Sequence, residues 1–287
     1  MSPPNTPAEL LLQKLAKNTP IGPAEQSRTI ILAAHPDDET IGASALLGRV
    51  PGVTVVYLTD GAPRDARFRS PHVSGSRELY ACVRAEEAAS ALSYVGVSPS
   101  NMLFLSAVDQ DAALQSRALV EEFCGIVKEF KPSVIVTHPY EGGHPDHDTA
   151  ALVARMTVQL LPRDSTAPEI LEMTSYHAQS EKRVTGQFLN PVPLLSGELQ
   201  APVRLELSPE ERATKARMLS CYVSQWHVIS EIPLEPEQLR VAPLYDFTQP
   251  PHPGLLWYEH LRWPMTGERW RELASQALAQ YGEFACR

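Results

Sequence analysis

The sequence predicts an α/β fold: a mainly parallel sheet flanked by helices, with a smaller C-terminal extension rich in strands and loops. Short apolar runs at 29–34 (TIILAA), 53–58 (VTVVYL) and 133–137 (SVIVT) are typical of strands buried on both faces. A shorter strand is expected at 102–105. Segments with helical spacing alternate with these strands, at 39–49, 77–95, 114–130 and 148–161. This alternation favours βαβ units, whose strands are parallel.

The pattern changes after Pro162, and this change predicts how the chain is divided. Residues 168–207 are typical of shorter, more exposed strands, 208–222 and 267–281 are helical, and 231–265 is expected to be mostly ordered loop. We therefore expect a leader at 1–27, in which a short amphipathic helix lies between prolines. A main α/β domain at 28–225 follows, and a C-terminal extension at 226–287 packs on that same domain.

Composition argues against several classes of partner. The chain has 287 residues, 43% of them hydrophobic, and a net charge of -9, which is a poor electrostatic match for nucleic acid or an anionic membrane. No pattern typical of a signal peptide or a transmembrane segment occurs. The four cysteines form no CxxC pair and are expected to be buried thiols in a reducing compartment. We expect a cytoplasmic protein that acts on a small molecule, and homo-oligomer formation stays open.

Polar side chains follow three of the predicted strands. The first strand runs into HPDDE at 35–39, the second into TDG at 59–61, and the fourth into HPYEGGHPDHD at 138–148. Ligands of open parallel sheets bind beyond the carboxyl ends of the strands, so these segments are expected to meet. The G-x-G-x-x-G loop of a dinucleotide site is absent, and two carboxylates would repel a phosphate. The pattern therefore favours a bound cation.

His35, Asp38 and His147 are the expected metal ligands. His35 and Asp38 lie three residues apart on a strand-to-helix turn, and His147 lies near the start of a later helix. Three His or carboxylate ligands leave one position of a catalytic zinc open for water. A closed structural zinc site usually includes cysteine ligands, and no cysteine lies near these residues. The same nitrogen and oxygen ligands also fit Fe(II), Mn(II) or Co(II).

Asp37, His144 and Asp146 are expected to act beside the metal. Asp37 cannot easily share a metal with its neighbour Asp38, but it can serve as a general base for the attacking water. His144, when protonated, can stabilise an oxyanion and then protonate a leaving amine, with Asp146 holding it charged. The structural alternative is that HPDD and HPDH are only capped helix starts, with Asp38 as a cap. Their occurrence together at strand ends favours the site.

These residues resemble the PIG-L/LmbE-like family of N-acetylglucosaminyl deacetylases. The resemblance rests on AHPDDE at 34–39 and GHPDH at 143–147, and extends to LTDG, RAEEAASALSYVG, KPSVIVTHP and, more weakly, KARMLSCYVSQ. It implies a Rossmann-like topology of the lactate-dehydrogenase type for the mainly parallel sheet, one zinc ion, and hydrolysis of the N-acetyl group of a small-molecule amino sugar. By motif position it also implies zinc ligands at His35, Asp38 and His147, a base at Asp37, and an oxyanion-stabilising His144 tuned by Asp146.

Other positions are less specific. Asp60 could line the site or form a turn, and Arg64 and Arg67 could bind substrate or belong to a solvated loop. Glu39 could simply complement the helix dipole. Gly142 stands where some family members have an aromatic residue, although Tyr140 is near. Two further functions stay open: an amidase for a thiol conjugate or a longer acyl amide, and a non-catalytic sugar-binding protein.

Overall fold

The computed structural model of the chain describes residues 6–19, 21, 28–161, 167–189, 194–196 and 199–282. Its strands are β1 (Thr29–Ala33), β2 (Thr54–Thr59), β3 (Met102–Ala107), β4 (Val134–Thr137), β5 (Glu169–Met173), β6 (Tyr176–Gln179), β7 (Lys182–Thr185), β8 (Leu194–Ser196), β9 (Val203–Leu205), β10 (Glu237–Val241) and β11 (Leu244–Tyr245). Its helices are α1 (Pro7–Ala16), α2 (Asp38–Arg49), α3 (Arg77–Ser93), α4 (Ser116–Phe130), α5 (Pro145–Leu160), α6 (Pro209–Ser220), α7 (Trp226–Ile229), α8 (Trp257–His260) and α9 (Gly267–Gly282).

A seven-stranded sheet in the order β3-β2-β1-β4-β5-β10-β9 forms the centre of the molecule. The five strands from β3 to β5 pair in parallel, and β10 pairs antiparallel with both β5 and β9. Successive residues of β1 face opposite cores: Ile31 packs with α2, α3 and α6, whereas Ile30 packs with α4, α5 and α9. Burial on both faces explains the continuous apolar runs. The predicted mainly parallel α/β fold is confirmed.

Two segments after Pro162 differ from the prediction. Within 168–207, β5 is a buried strand of the central sheet rather than an exposed one. Within 231–265, which was expected to be mostly loop, β10 supplies a further central strand. The sequence of β10, EQLRV, looks polar although the strand is in the central sheet. Its charged residues can be buried because each has a partner: Glu237 pairs with Lys215 and Arg240 with Glu172. Buried ion pairs remove the apolar pattern on which strand prediction depends.

Helix α1 lies within the predicted leader and packs on the main core. A capping box between Thr6 and Glu9 starts the helix, and Leu11, Leu12 and Leu15 are buried. The backbone N–H of Ala8 donates to the Glu169 carboxylate of β5 at 2.7 Å. The described part of the leader is therefore attached to the sheet. No helix among the described residues is long and apolar enough to cross a membrane.

Helix α2 is interrupted at Ala43, whose φ of -142° and ψ of 25° are not helical. The break frees the carbonyl of Ile41 and the backbone N–H of Ala45, and a buried ion pair satisfies both. Lys215 Nζ donates to Ile41 O at 2.8 Å and to Glu237 Oε1 at 2.7 Å. Ala45 N donates to Glu237 Oε2 at 2.9 Å. The pair thus caps the two halves of α2 and ties them to α6 and β10.

The cysteines differ in part from the expectation of buried thiols. Cys124 is buried, but Cys82 is exposed and Cys221 is half-buried. All three are free thiols, and Cys286 lies outside the described residues.

Candidate active site

A cavity of about 490 Å³ lies beyond the carboxyl ends of the parallel strands. Residues that follow β1, β3, β4 and β5 meet there, as expected for an open parallel sheet. Its polar wall contains His35, Asp37, Asp38, Arg84, Asp109, His144 and His147. The structure therefore brings the HPDD and HPDH segments together.

The turn between β1 and α2 exposes both aspartates to the cavity. Asp37 has φ 144° and ψ -28°, a conformation that is strained for a residue other than glycine. It is the N-cap of α2 but makes no side-chain capping bond. Asp38 Oδ2 instead accepts from the backbone N–H of His35 at 2.8 Å. The alternative in which Asp38 caps the helix is therefore not what the structure shows.

The predicted ligands His35, Asp38 and His147 form a cluster whose ligand atoms lie within 4.8 Å of one another. Asp38 Oδ2 is 3.2 Å from His35 Nδ1, and Asp38 Oδ1 is 3.2 Å from His147 Nε2. Ligand atoms at about 2 Å from a tetrahedral zinc lie about 3.3 Å apart, so the spacing fits. His147 Nε2 is buried and has no hydrogen-bond partner. Such an orphaned nitrogen, aimed at two other ligand groups, fits a metal site.

Neighbouring groups fix these ligands. His147 Nδ1 lies 3.2 Å from Ser175 Oγ, which leaves Nε2 directed at Asp38. His138 stacks on the His147 ring with centroids 4.0 Å apart, and its Nε2 is 3.4 Å from Asp38 Oδ2. Burial opposes ionisation of Asp38, yet His147 and His138 hold the pKa of this carboxyl well below its usual range. Asp38 is therefore an anion, as a metal ligand must be.

A second set of possible ligands overlaps the first. It contains His35, Asp109, His144 and Asp146. His35 belongs to both sets, because its Nδ1 faces Asp38 whereas its Nε2 lies 3.3 Å from Asp109 and 3.1 Å from Asp146. Burial opposes protonation of His35, but Asp109 raises its pKa well above the usual value. The His35 imidazole thus lies between the carboxylate of Asp38 on one side and those of Asp109 and Asp146 on the other.

Arg84 is the positive charge closest to Asp37. Its Nη2 donates to Pro36 O at 2.7 Å and lies 3.3 Å from Asp37 Oδ2. Burial raises the pKa of Asp37, and the Arg84 guanidinium opposes that rise. The Arg84 side chain is only 2% exposed and lines the cavity. Gly61 makes room for it, since a Cβ there would lie 2.9 Å from Arg84 Nε.

His144 and Asp146 are close but are not paired as predicted. His144 Nδ1 accepts from the backbone N–H of Asp146 at 3.1 Å, which leaves the ring proton on Nε2. The Asp146 carboxylate instead accepts from the backbone N–H groups of Gln110 and Ala112, at 2.6 and 3.2 Å, and contacts His35. Burial, helped by His35, lowers the pKa of His144 well below its usual value. The prediction that Asp146 keeps His144 charged does not match these contacts.

The loop between β4 and α5 is held by residues outside the predicted site. Asp148 Oδ1 accepts from the backbone N–H groups of Glu141 and Gly142, at 3.2 and 3.0 Å. Gly143 lies against Tyr176, where a Cβ would come 1.9 Å from a carbonyl oxygen. Tyr140 points away into the core and stacks on Trp270, whereas Tyr176 lines the cavity beside His147. Within the described part of the chain, the only tyrosine that lines the cavity therefore comes from β6.

The predicted substrate-binding residues are mostly engaged elsewhere. Asp60 forms an ion pair with Arg77 and does not line the cavity. Arg64 is exposed and pairs with Asp111 at 2.6 Å. Arg67 does line the cavity, but it pairs with Asp65 at 2.6 Å.

Asp109 and His138 were not predicted as site residues. Asp109 follows β3 in the segment VDQD, so the same argument from strand ends, extended to β3, predicts it. His138 lies in the polar segment 138–148, but only the fold reveals its position beneath His147.

Part of the chain matches a known family model, and several known proteins are similar to it in sequence. Residues 30–158 match the sequence model of the family described as PIG-L: GlcNAc-PI de-N-acetylase. The chain is 31% identical over 173 residues to 1D-myo-inositol 2-acetamido-2-deoxy-alpha-D-glucopyranoside deacetylase 1 of Catenulispora acidiphila, covering 52% of this chain and 54% of that protein. A protein of the same description from Saccharopolyspora erythraea is 29% identical over 224 residues, covering 65% and 70%. The chain spans about half the length of most of the curated relatives it matches.

Solved structures share the fold at low sequence identity. N,N'-diacetylchitobiose deacetylase from Pyrococcus horikoshii has a TM-score of 0.54 and 17% identity, and the match covers 85% of this chain and 95% of that one. A deacetylase of the teicoplanin biosynthesis pathway, in complex with teicoplanin, has a TM-score of 0.55 and 17% identity, with coverages of 75% and 98%. Both similarities support the same α/β architecture.

Proposed function

We propose that this chain, whose residues 30–158 match the PIG-L family model, removes the N-acetyl group of an amino sugar and releases acetate and a free amine. One observation carries the proposal: the His35, Asp38 and His147 cluster lines the same cavity as the strained, buried Asp37. A ligand set and an adjacent base in one cavity are what metal-assisted amide hydrolysis requires. The 1D-myo-inositol 2-acetamido-2-deoxy-glucopyranoside deacetylases among the relatives support an N-acetylglucosamine-type substrate.

We assign the metal to His35, Asp38 and His147. When bound, a zinc ion supplies Lewis-acid activation of water and of the amide carbonyl, and Fe(II) or another divalent ion would fit the same ligands. Asp37 takes the proton of the attacking water, because its carboxylate faces the cavity and its raised pKa makes it a better base than an exposed aspartate. Asp37 can then pass this proton to the departing amine.

His144 and Arg84 assist Asp37 in this proposal. The Nε2–H of neutral His144 is free to donate a hydrogen bond to the oxyanion, since Nδ1 is occupied by the backbone N–H of Asp146. Arg84 holds the Asp37 carboxylate in place. We propose that Asp146 acts by orienting His35 rather than by charging His144. A cytoplasmic location and a homo-oligomer stay predictions from sequence.

The test is acetate release from N-acetylglucosamine and its glycosides, with and without a chelator. We expect chelation to abolish activity and zinc to restore it. Asp37→Ala is expected to lower kcat by at least 100-fold while the protein still binds one metal ion, as measured by plasma mass spectrometry. Full activity after verified metal removal would refute the proposal, and loss of the metal from Asp37→Ala would show that base and ligand are exchanged.

The amidase alternative has one supporting observation. Ile41, Val228, Ile229 and Ile232 give the cavity an apolar wall. An apolar wall can accept an acyl chain longer than acetyl. Comparing kcat/KM for N-acetyl, N-butanoyl and N-hexanoyl glucosamine separates the two functions, because a deacetylase is expected to prefer the acetyl compound. A non-catalytic sugar-binding protein is disfavoured, since the ligand cluster is open to the cavity.

A further inference from the structure

A second compartment of about 300 Å³ adjoins the main cavity. Phe68, Asp109, Gln110 and Trp263 line both. Trp263 packs edge-on against His144 with ring centroids 4.5 Å apart, and its ring lies 6.0 Å from that of Phe68. These two aromatic side chains therefore stand at the junction between the main cavity and the second compartment.

The walls of the second compartment are largely apolar. Leu114, Pro145, Pro264 and Met265 line it together with the two aromatic rings. Leu114 is 56% exposed, so its side chain is accessible to a ligand at this wall. Three of these residues, Trp263, Pro264 and Met265, come from the C-terminal part of the chain, outside the segment that matches the family model.

The charged residues at this compartment have partners, and for Asp109 the partner is the His35 imidazole, whose Nε2 lies 3.3 Å away. Each arginine near it forms an ion pair: Arg64 with Asp111 at 2.6 Å, Arg67 with Asp65 at 2.6 Å, and Arg269 with Glu272 at 2.8 Å. An anionic ligand would have to compete with these carboxylates, and a cationic one with the guanidinium groups. The compartment is therefore suited to an uncharged, apolar group.

We propose that the second compartment binds an apolar aglycone, an alkyl or aryl group joined to the amino sugar through its glycosidic oxygen. This inference rests on the proposed deacetylase function. The main cavity, at about 490 Å³, already has the size of a site for one small molecule, and the second compartment opens directly from it. A substrate that fills both has its acetamido group at the His35–Asp38–His147 cluster and its aglycone between Trp263, Leu114 and Met265.

The experiment measures kcat and KM for acetate release from the methyl, butyl and hexyl glycosides of N-acetylglucosamine, in both anomers. We expect KM to fall with chain length by up to about fourfold for each buried methylene, with kcat nearly constant. Isothermal titration calorimetry with the same glycosides measures binding separately. Binding that strengthens with chain length without acetate release would support the aglycone compartment and refute the deacetylase function. Acetate release with a KM that does not change with chain length would support the deacetylase function and refute the aglycone compartment.

Two variants locate the effect. Leu114→Glu places a charge in the compartment at an exposed position, and Met265→Gln gives a second, uncharged change. Both are expected to reduce the ratio of methyl to hexyl KM towards one. The matched control is Leu255→Glu, because Leu255 is 58% exposed but lines a different depression, and it should keep the wild-type ratio. An unchanged ratio of methyl to hexyl KM in both Leu114→Glu and Met265→Gln would overturn the assignment. It would also be overturned if kcat/KM rose with the length of the N-acyl chain and Leu114→Glu abolished that rise, because the compartment would then bind the acyl group.

Discussion

Replacing Lys215 by Met is expected to destabilise the protein by about 3–5 kcal/mol, because it leaves the Glu237 carboxylate buried without its cation. Lys215 is 1% exposed and Glu237 is fully buried, so water cannot substitute for the lost ammonium group. The carbonyl of Ile41 loses its donor as well. The expected loss is a large part of the 5–15 kcal/mol that stabilises a typical domain.

The double variant Lys215→Met/Glu237→Gln tests the cause. The Gln carbonyl oxygen can still accept from Ala45 N, and the side-chain amide nitrogen can donate to Ser44 Oγ, so most of the loss should be recovered, to within about 1–2 kcal/mol of wild type. Urea unfolding followed by circular dichroism gives each free energy. Lys128→Met, at an exposed position on α4, is the control and should change stability by less than about 0.5 kcal/mol. A Lys215→Met loss below about 1 kcal/mol, or a double variant as unstable as the single one, would refute the reasoning.

The remaining predictions concern the site. Asp38→Ala is expected to lose the bound metal, measured by plasma mass spectrometry, while Asp109→Ala retains it; the opposite result would move the metal to the set that contains Asp109. Arg84→Gln should lower kcat and move the acidic limb of the kcat/KM profile to higher pH, because burial raises the pKa of Asp37 and Arg84 opposes that rise; an unmoved limb would contradict this. Burial lowers the pKa of His138 from 6.5 to about 4, so between these values the unfolded state binds more protons and stability is lost as the pH falls. When metal-free protein is taken from pH 6.5 to about 4, the wild type should therefore lose on the order of 2–3 kcal/mol more unfolding free energy than His138→Gln. Parallel curves of unfolding free energy against pH for the two proteins would count against this prediction.

The sequence predicts the parallel strands β1, β2 and β4 well, because they are buried on both faces and are apolar apart from threonines at their ends. The antiparallel half is hidden, because Glu237 and Arg240 occupy core positions of β10 that apolar residues would normally fill. Their partners, Lys215 and Glu172, lie at least 22 residues away in sequence. Only the folded chain shows that these charges are paired.

The same distinction holds for the site. His35, Asp38 and His147 could be grouped from sequence, since each lies close to the end of a parallel strand and such ends share one edge of a sheet. Roles that depend on the direction of a side chain could not be predicted from the sequence. Asp146 turns towards His35 because the backbone N–H groups of Gln110 and Ala112 hold its carboxylate, and spacing along the chain does not encode that contact.

The position of β10 has a consequence for any shortened form of the protein. A chain ended after residue 225 would lack β10, and β9 would lose the strand that joins it to the central sheet. β5 would then present unpaired backbone N–H and C=O groups along a buried apolar strand, which is a template for pairing with other chains. We expect such a truncated protein to aggregate even though every residue of the HPDD and HPDH segments is retained. The C-terminal part is thus needed for solubility of the sheet as well as for the walls of the cavity.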